Sequence, residues 1–181
     1  MIVYRELSSL EHDLGVSAKT LYAVSNDLSK HYRKVSLPKK SGGVRNLSVP
    51  DEILKSIQKR ITEVLLVHMP VSGYATAYRF GSSTLRNAKH HVGKQVVMKL
   101  DILHFFDSIR YSTVKDNVFS ADVYAEPLRI LLTMLCYHKD ARLRERLAPR
   151  QLPILFFMGL MSWLDSGVGS VALPIPGIAM I

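Results

Sequence analysis

The sequence predicts an α+β fold in which helices pack on a small antiparallel sheet. Apolar residues recur at helical spacing in several stretches, most clearly in residues 51–69. Two short segments with alternating apolar residues flank Ser41-Gly42-Gly43, a pattern typical of a β-hairpin. A third apolar run, residues 96–100, predicts a buried strand that leads directly into Asp101.

Composition limits the class of protein. The 181 residues have room for one domain with its own core, or for one and a half small ones. The formal net charge of +9 suits a polyanion such as nucleic acid or an anionic membrane surface, although solubility alone would also explain it. The single cysteine, Cys136, excludes an internal disulfide and fits a reduced, cytoplasmic protein. The first residues lack the apolar segment of a signal peptide.

Helices are expected before and after the hairpin. Residues 4–14 predict a short helix, and Ser17 is a candidate N-cap for a second helix that ends near His31. Asp51 opens a helix with a core face and a basic face. The core face is formed by Ile53, Leu54, Ile57, Ile61, Val64 and Leu65.

The hairpin occupies residues 32–50 and carries cations near its turn. Apolar residues alternate with polar ones at Val35, Leu37, Leu47 and Val49. Lys39 and Lys40 lie at the tip, and Arg45 returns on the second strand. A flexible turn flanked by cations can close on a phosphate group, and a solvated hairpin tip is the alternative.

Two segments between the hairpin and the third strand contain residues that could contact nucleic acid. Residues 71–81 combine Tyr and Phe with Arg79, which could stack on bases or could equally serve packing. Ser82 or Ser83 is expected to cap a short helix that contains Asn87. Adjacent His90 and His91 do not face one side of a helix, so we reject a metal site there.

Asp101 follows the central strand, where a carboxylate is either a cap or turn residue or a metal ligand. Beyond it, Ser112 is predicted to cap a helix through Phe119. Glu126-Pro127 opens another helix. Its apolar face is formed by Leu128, Leu131, Leu132 and Leu135.

These motifs, taken together, resemble the N-terminal part of a bacterial reverse transcriptase of the retron type, related to group II intron enzymes. PKKSGGVR at residues 38–45 looks like the fingers hairpin of that family, and YRFGSSTLRNA at 78–88 looks like the next fingers segment. Asn87-Ala88-Lys89-His90-His91 fits a retron motif, N-A-x-x-H. KLDILHFFDSI at 99–109 looks like the first palm motif. The resemblance implies N-terminal helices in 1–31, fingers in 32–94 and the first part of the palm in 95–150.

The palm motif implies a catalytic role for Asp101. It would be a ligand of the Mg²⁺ ions that serve nucleotidyl transfer, and the backbone carbonyl of Ile102 could join it. Phe106 matches the aromatic position under the sugar, which excludes a 2′ hydroxyl and so favours deoxynucleotides.

The fingers motifs imply contacts with dNTPs and RNA. Lys39 or Lys40, with Arg45, would bind the triphosphate. Template contacts would come from Arg79, Ser82 and Ser83. Asn87 and His91 would contact the structured non-coding RNA that serves as template and primer. The resemblance also implies a retron effector protein as a partner in antiviral defence, and no membrane.

The sequence departs from the family pattern after residue 150. It contains no Tyr-x-Asp-Asp motif, and Leu152-Pro153 is not followed by Gln-Gly. Between residues 151 and 181 the only charge is Asp165, so we expect an atypical apolar tail that is disordered or read out of frame. The apolar run before Asp165 is too short to span a bilayer.

We therefore expect a polymerase that is truncated before its second catalytic motif and inactive alone, since two-metal transfer needs more than one carboxylate. A non-catalytic RNA-binding module derived from the fingers is the alternative. A membrane-associated protein that uses the apolar tail is a third, less favoured reading.

Overall fold

The computed structural model describes residues 3–38, 42–67, 69, 83–89, 91–98, 109–137 and 178–180. The chain begins with two short helices, α1 (Leu7–Leu14) and α2 (Ala18–Asn26). Helix α1 ends at Gly15, whose left-handed φ of 63° allows its N–H to reach the Glu11 carbonyl at 2.8 Å. The predicted cap of α2 is confirmed, because Ser17 Oγ accepts a hydrogen bond from the Thr20 amide at 3.2 Å.

Helix α2 is shorter than the sequence predicted. It ends at Asn26, and a 3₁₀ turn (Leu28–His31) follows in place of the last helical turn. The Lys30 amide donates to the Asp27 carbonyl at 3.0 Å, which is the shorter hydrogen-bond step of a 3₁₀ turn. The tighter turn leads directly into the first strand.

The predicted hairpin is confirmed. Strand β1 (Tyr32–Pro38) pairs antiparallel with β2 (Val44–Pro50), from Tyr32 opposite Pro50 to Pro38 opposite Val44. Gly42 and Gly43 both have φ of 85°, a conformation in which a Cβ would be strained, so glycine suits the turn. We call His31, Tyr32, Pro50 and Asp51 the hairpin root, and residues 37–45 the hairpin tip.

Helix α3 (Glu52–Arg60) begins at the predicted position, with Asp51 as its N-cap. It continues as a π-helical turn (Ile61–Leu65), in which the Leu66 amide donates to the Ile61 carbonyl at 3.2 Å. The predicted core face is largely confirmed, but Ile53 is 53% exposed. The first turn of α3 therefore contributes less to the core than its apolar pattern suggested.

The segments that lead to Asp101 include helix α4 (Thr84–Lys89) and strand β3 (Val96–Met98). Strand β3 pairs in parallel with β4 (Ile178–Met180), with Val96 opposite Ile178. The sequence did not predict this second pair of strands. Val96 is 55% exposed, so the expectation of a fully buried strand is wrong at this end.

Helices α5 (Tyr111–Asn117) and α6 (Glu126–Cys136) complete the described fold. Ser112 does not cap α5 as predicted, because the helix starts two residues earlier than a Ser112 cap requires and the extended Arg110 occupies the N-cap position. The start of α6 at Glu126-Pro127 is confirmed.

The core lies between α1, α2, α3, α5 and α6. Its fully buried side chains include Leu10, Leu14, Leu21, Leu54, Ile57, Ile61, Phe119, Leu132 and Leu135. The amides of Val3 and Tyr4 both donate to the Val123 carbonyl at 2.9 Å, which joins the N-terminal segment to the loop before α6. The expected α+β class is confirmed. None of the helices in the described residues is long and apolar enough to cross a membrane.

Candidate nucleotide and nucleic-acid interface

The hairpin root is closed by a carboxylate. The Asp51 amide donates to the His31 carbonyl at 2.8 Å, and Asp51 Oδ2 lies 2.7 Å from His31 Nδ1. Asp51 Oδ1 accepts the Leu54 amide at 2.9 Å, so the same side chain caps α3. Desolvation would raise the pKa of Asp51, but the hydrogen bonds from Leu54 and His31 outweigh it and hold that pKa below its ordinary value.

A buried amide connects the hairpin root to two helices. Gln58 on α3 is 3% exposed. Its Nε2 atom donates to Tyr32 Oη at 3.1 Å and to the Leu135 carbonyl on α6 at 2.9 Å. Burial raises the pKa of Tyr32 to about 12, which keeps the phenol neutral at physiological pH. The orientation of β1 is therefore tied to α3 and α6 by polar contacts as well as by packing.

The hairpin becomes more exposed from root to tip. Leu47 is 6% exposed, whereas Leu37 and Val44 near the turn are 40% and 62% exposed. The backbone of Arg45 pairs with that of Leu37. Lys39 and Lys40 lie outside the described residues. Leu37 and Val44, at the strand ends next to the turn, are thus more exposed than Leu47.

The structure adds two cations that sequence reasoning did not single out. Arg33 and Lys34 are exposed on β1, and among the described residues neither forms an ion pair. Strand alternation places them on opposite faces of the hairpin. Arg33 and Lys34 lie in the same segment, YRKVSLPKK, as the predicted cations Lys39 and Lys40. This proximity in sequence could have identified them.

Helix α4 organises the predicted RNA-contacting residues that the structure describes. The exposed Ser83 is the cap, since its Oγ accepts the Arg86 amide at 3.1 Å and its carbonyl accepts the Asn87 amide at 3.1 Å. The His91 amide donates to the Ala88 carbonyl at 2.9 Å, which places His91 in the turn after α4. Both ring nitrogens of His91 are buried and have no hydrogen-bond partner among the described residues.

The remaining predicted site residues lie outside the described part of the chain: Arg79, Ser82, Asp101, Ile102 and Phe106. Strand β3 ends at Met98, shortly before this predicted palm site. A carboxylate and a backbone carbonyl supply oxygen, the ligand type that Mg²⁺ prefers, so the donor set fits the ion. In the described residues, no group of three or more His, Cys, Asp or Glu side chains could hold a metal.

Comparison with known proteins agrees with the resemblance. A family model described as reverse transcriptase (RNA-dependent DNA polymerase) matches residues 37–146. The chain belongs to the reverse transcriptase family. The match begins in β1 and extends past α6, so it includes the hairpin turn, Gln58, α4 and the segment around Asp101.

Several proteins that the chain is similar to are retron reverse transcriptases. The retron Mx65 reverse transcriptase of Myxococcus xanthus is 34% identical over 137 residues, 74% of this chain and 32% of that protein. The retron Ec83 reverse transcriptase of Escherichia coli is 38% identical over 79 residues, 44% of this chain and 25% of that protein. The retron Ec86 enzyme of the same species is 24% identical over 140 residues, 76% of this chain and 43% of that protein. The chain therefore spans less than half the length of each of these relatives.

Proposed function

We propose that this chain provides the fingers, residues 32–94, and the first part of the palm, residues 95–150, of an RNA-directed DNA polymerase. The observation that supports this most directly is the hairpin. The family match begins within β1 and includes β2, the hairpin root is held by Asp51 and Gln58, and the sequence places the predicted cations next to the turn. The N-terminal helices, residues 1–31, would support the fingers through the shared core.

The hairpin tip would bind the triphosphate of an incoming dNTP. Lys39 or Lys40 would neutralise phosphate charge, and Arg45 would add a two-pronged contact that a guanidinium can make with phosphate oxygens. Gly42 and Gly43 have positive φ and carry no side chain, which would allow their backbone to approach a ligand closely. Phe106 would lie under the sugar and select deoxynucleotides.

Asp101 and the carbonyl of Ile102 would hold Mg²⁺ in the palm. When bound, Mg²⁺ would stabilise the charge that develops on the phosphate oxygens during nucleotidyl transfer. These two residues supply only part of a two-metal ligand set, and the sequence contains no Tyr-x-Asp-Asp motif. We therefore propose that the 181 residues do not extend a primer unless another polypeptide supplies further carboxylates.

RNA would contact the fingers beside the hairpin. Arg79, Ser82 and Ser83 would follow the template, and Asn87 with His91 would contact structured non-coding RNA. The exposure of Ser83 supports this assignment. We place the protein in the cytoplasm, with a retron effector protein as a further partner in antiviral defence.

Primer extension on an RNA template with Mg²⁺ tests the catalytic proposal. We expect no extension by this chain and by Asp101→Asn, and salt-dependent RNA binding by both. Extension that Asp101→Asn abolishes would show that the site is complete, so the proposed inactivity would be wrong. Extension that survives Asp101→Asn would contradict the role of Asp101.

A second candidate is a non-catalytic RNA-binding module. The net charge of +9 and the exposed Arg33 and Lys34 favour it, because unpaired cations bind phosphates without any requirement for chemistry. An RNA-binding module of this kind would not bind a dNTP. Substitutions of Lys39 and Lys40 would then weaken RNA binding and have no dNTP binding to affect. Measuring dNTP and RNA affinities of the same variants separates the two functions.

A further inference from the structure

We propose that Gln58 is a positioning residue that connects the hairpin root to the C-terminal end of α6, so that nucleotide contacts at the hairpin tip depend on it. The inference rests on the proposed function of the tip. Gln58 itself would not contact the nucleotide, because its side chain is buried next to the hairpin root and not at the tip.

One amide group joins three elements that are far apart in sequence. Gln58 belongs to α3, and its two amide hydrogens go to Tyr32 on β1 and to Leu135 on α6. These partners lie 26 and 77 residues from Gln58 along the chain. An apolar side chain of the same length would fill the space, but it could make neither contact. The amide therefore connects Tyr32 on β1 to the end of α6.

The contact to Leu135 has a specific structural reason. Helix α6 ends at Cys136, so the Leu135 carbonyl is among the last four, which have no partner within a helix. Gln58 satisfies this carbonyl in the core, where water does not reach it. Loss of the amide would leave a buried carbonyl without that donor and would weaken the end of α6 next to the hairpin root.

The position of the tip follows from the root. A hairpin of two strands is only marginally stable without support from neighbouring elements. Strand β1 has seven residues, and at about 3.3 Å per residue it extends roughly 20 Å from the root. Asp51 holds one side of the root to α3, and Gln58 holds the other side to α6. A small rotation at the root would thus move the tip by a larger distance.

Amide hydrogen exchange tests the connection. We expect Gln58→Met to speed the exchange of the β1 and β2 amides about tenfold, the loss expected for one buried hydrogen bond, and to leave the α1 amides unchanged. Tyr32→Phe removes the β1 side of the same connection and should act in the same direction. The double variant should add little to Gln58→Met, because both substitutions break one connection.

Thr133→Val is the matched control. Thr133 is fully buried on α6, and its Oγ1 donates to the Arg129 carbonyl at 2.7 Å within the same helix. The substitution removes a buried hydrogen bond without a contact to β1, so hairpin exchange should stay unchanged. The proposal is overturned if Gln58→Met and Thr133→Val speed hairpin exchange equally. It is also overturned if Gln58→Met speeds the exchange of hairpin and α1 amides equally. If Gln58→Met does not fold, hairpin exchange in Tyr32→Phe is compared with that in Thr133→Val and with α1 exchange instead.

Binding of a fluorescent dNTP with Mg²⁺ completes the test. We expect Gln58→Met to lower the affinity about tenfold, in step with hairpin exchange, and Thr133→Val to leave it unchanged. Faster hairpin exchange with unchanged affinity overturns the positioning role. If the wild-type chain binds no dNTP, the proposed function of the tip fails, while the exchange data still decide whether Gln58 connects the hairpin to α6.

Discussion

The Oδ2 atom of Asp51 lies 2.7 Å from Nδ1 of His31, across the root of the hairpin. The same carboxylate receives the Leu54 amide, so one side chain joins the end of the 3₁₀ turn to the first turn of α3. The two ends of the hairpin are thus joined where the chain enters and leaves it. A substitution at Asp51 acts on the hairpin and the helix together.

Asp51→Asn should lower stability in a pH-dependent manner. The pKa of Asp51 is depressed in the folded state, so its charge stabilises the fold above the ordinary Asp value of 3.8. That contribution is lost as the pH falls from 3.8 through the lower folded pKa. We expect a loss below about 1 kcal/mol near pH 6, because the carboxylate is part-exposed and asparagine still caps the helix.

Urea unfolding of wild type and Asp51→Asn between pH 2.5 and 7 measures this difference. The two stability curves should converge at the acid end of the range. A gap that stays constant across the range would show that the carboxylate charge has no part in it. Glu63→Gln is a control on the exposed face of the same helical segment, where Glu63 pairs with Lys59 at 3.8 Å.

Arg129 should be a major contributor to the stability of the α5–α6 pair. It is 9% exposed, and its Nε donates to the Phe119 carbonyl at 2.6 Å. One terminal nitrogen bonds Asp116 at 2.7 Å and the other bonds Glu126. We expect Arg129→Met to lower the free energy of unfolding by about 2–3 kcal/mol, since charged hydrogen bonds are lost inside the fold.

Chemical denaturation checks the Arg129 prediction. Arg129→Lys keeps the charge but loses the planar geometry, so its stability should fall between those of wild type and Arg129→Met. Arg110→Met removes an exposed Arg whose side chain makes no cap hydrogen bond, and it should change stability by less than about 0.5 kcal/mol. Equal stabilities of Arg129→Met and wild type would refute the assigned role.

Cys136 should react slowly with a thiol reagent in the native protein. Burial raises the pKa of its thiol from 9.0 to about 12. At pH 8 the thiolate fraction should therefore be lower than that of an unperturbed thiol. The rate of reaction with a disulfide reagent, with and without urea, measures this protection. Native labelling as fast as that of the unfolded chain would contradict it.

The affinity for RNA should fall as the salt concentration rises. The slope of log affinity against log salt reports the number of phosphate contacts. If Arg79 contacts one phosphate of a single-stranded template, Arg79→Gln should reduce the slope of log affinity against log salt by about 0.7. Lys30→Gln is the control, because Lys30 forms an ion pair with Asp27 on the N-terminal segment. Fluorescence anisotropy at several salt concentrations gives the slopes. Identical slopes for wild type and Arg79→Gln would exclude that contact.

Local signals predicted much of the fold. Ser17 and Asp51 cap the helices that follow them, and the glycines at 42 and 43 form the hairpin turn. Such signals work because a cap or a turn is made by groups within a few residues of one another. They are less reliable at boundaries, as the early end of α2 and the incorrect cap at Ser112 show.

The sequence by itself determined the family, the hairpin, the helices and the candidate palm residue Asp101. The tertiary structure alone revealed the roles of Gln58 and Arg129, whose polar side chains gave no sign of being buried. Their partners lie on other elements, and the Leu135 carbonyl is 77 residues from Gln58. Which distant donor meets which acceptor depends on how the helices pack, because a buried polar group must find its partner in the assembled core.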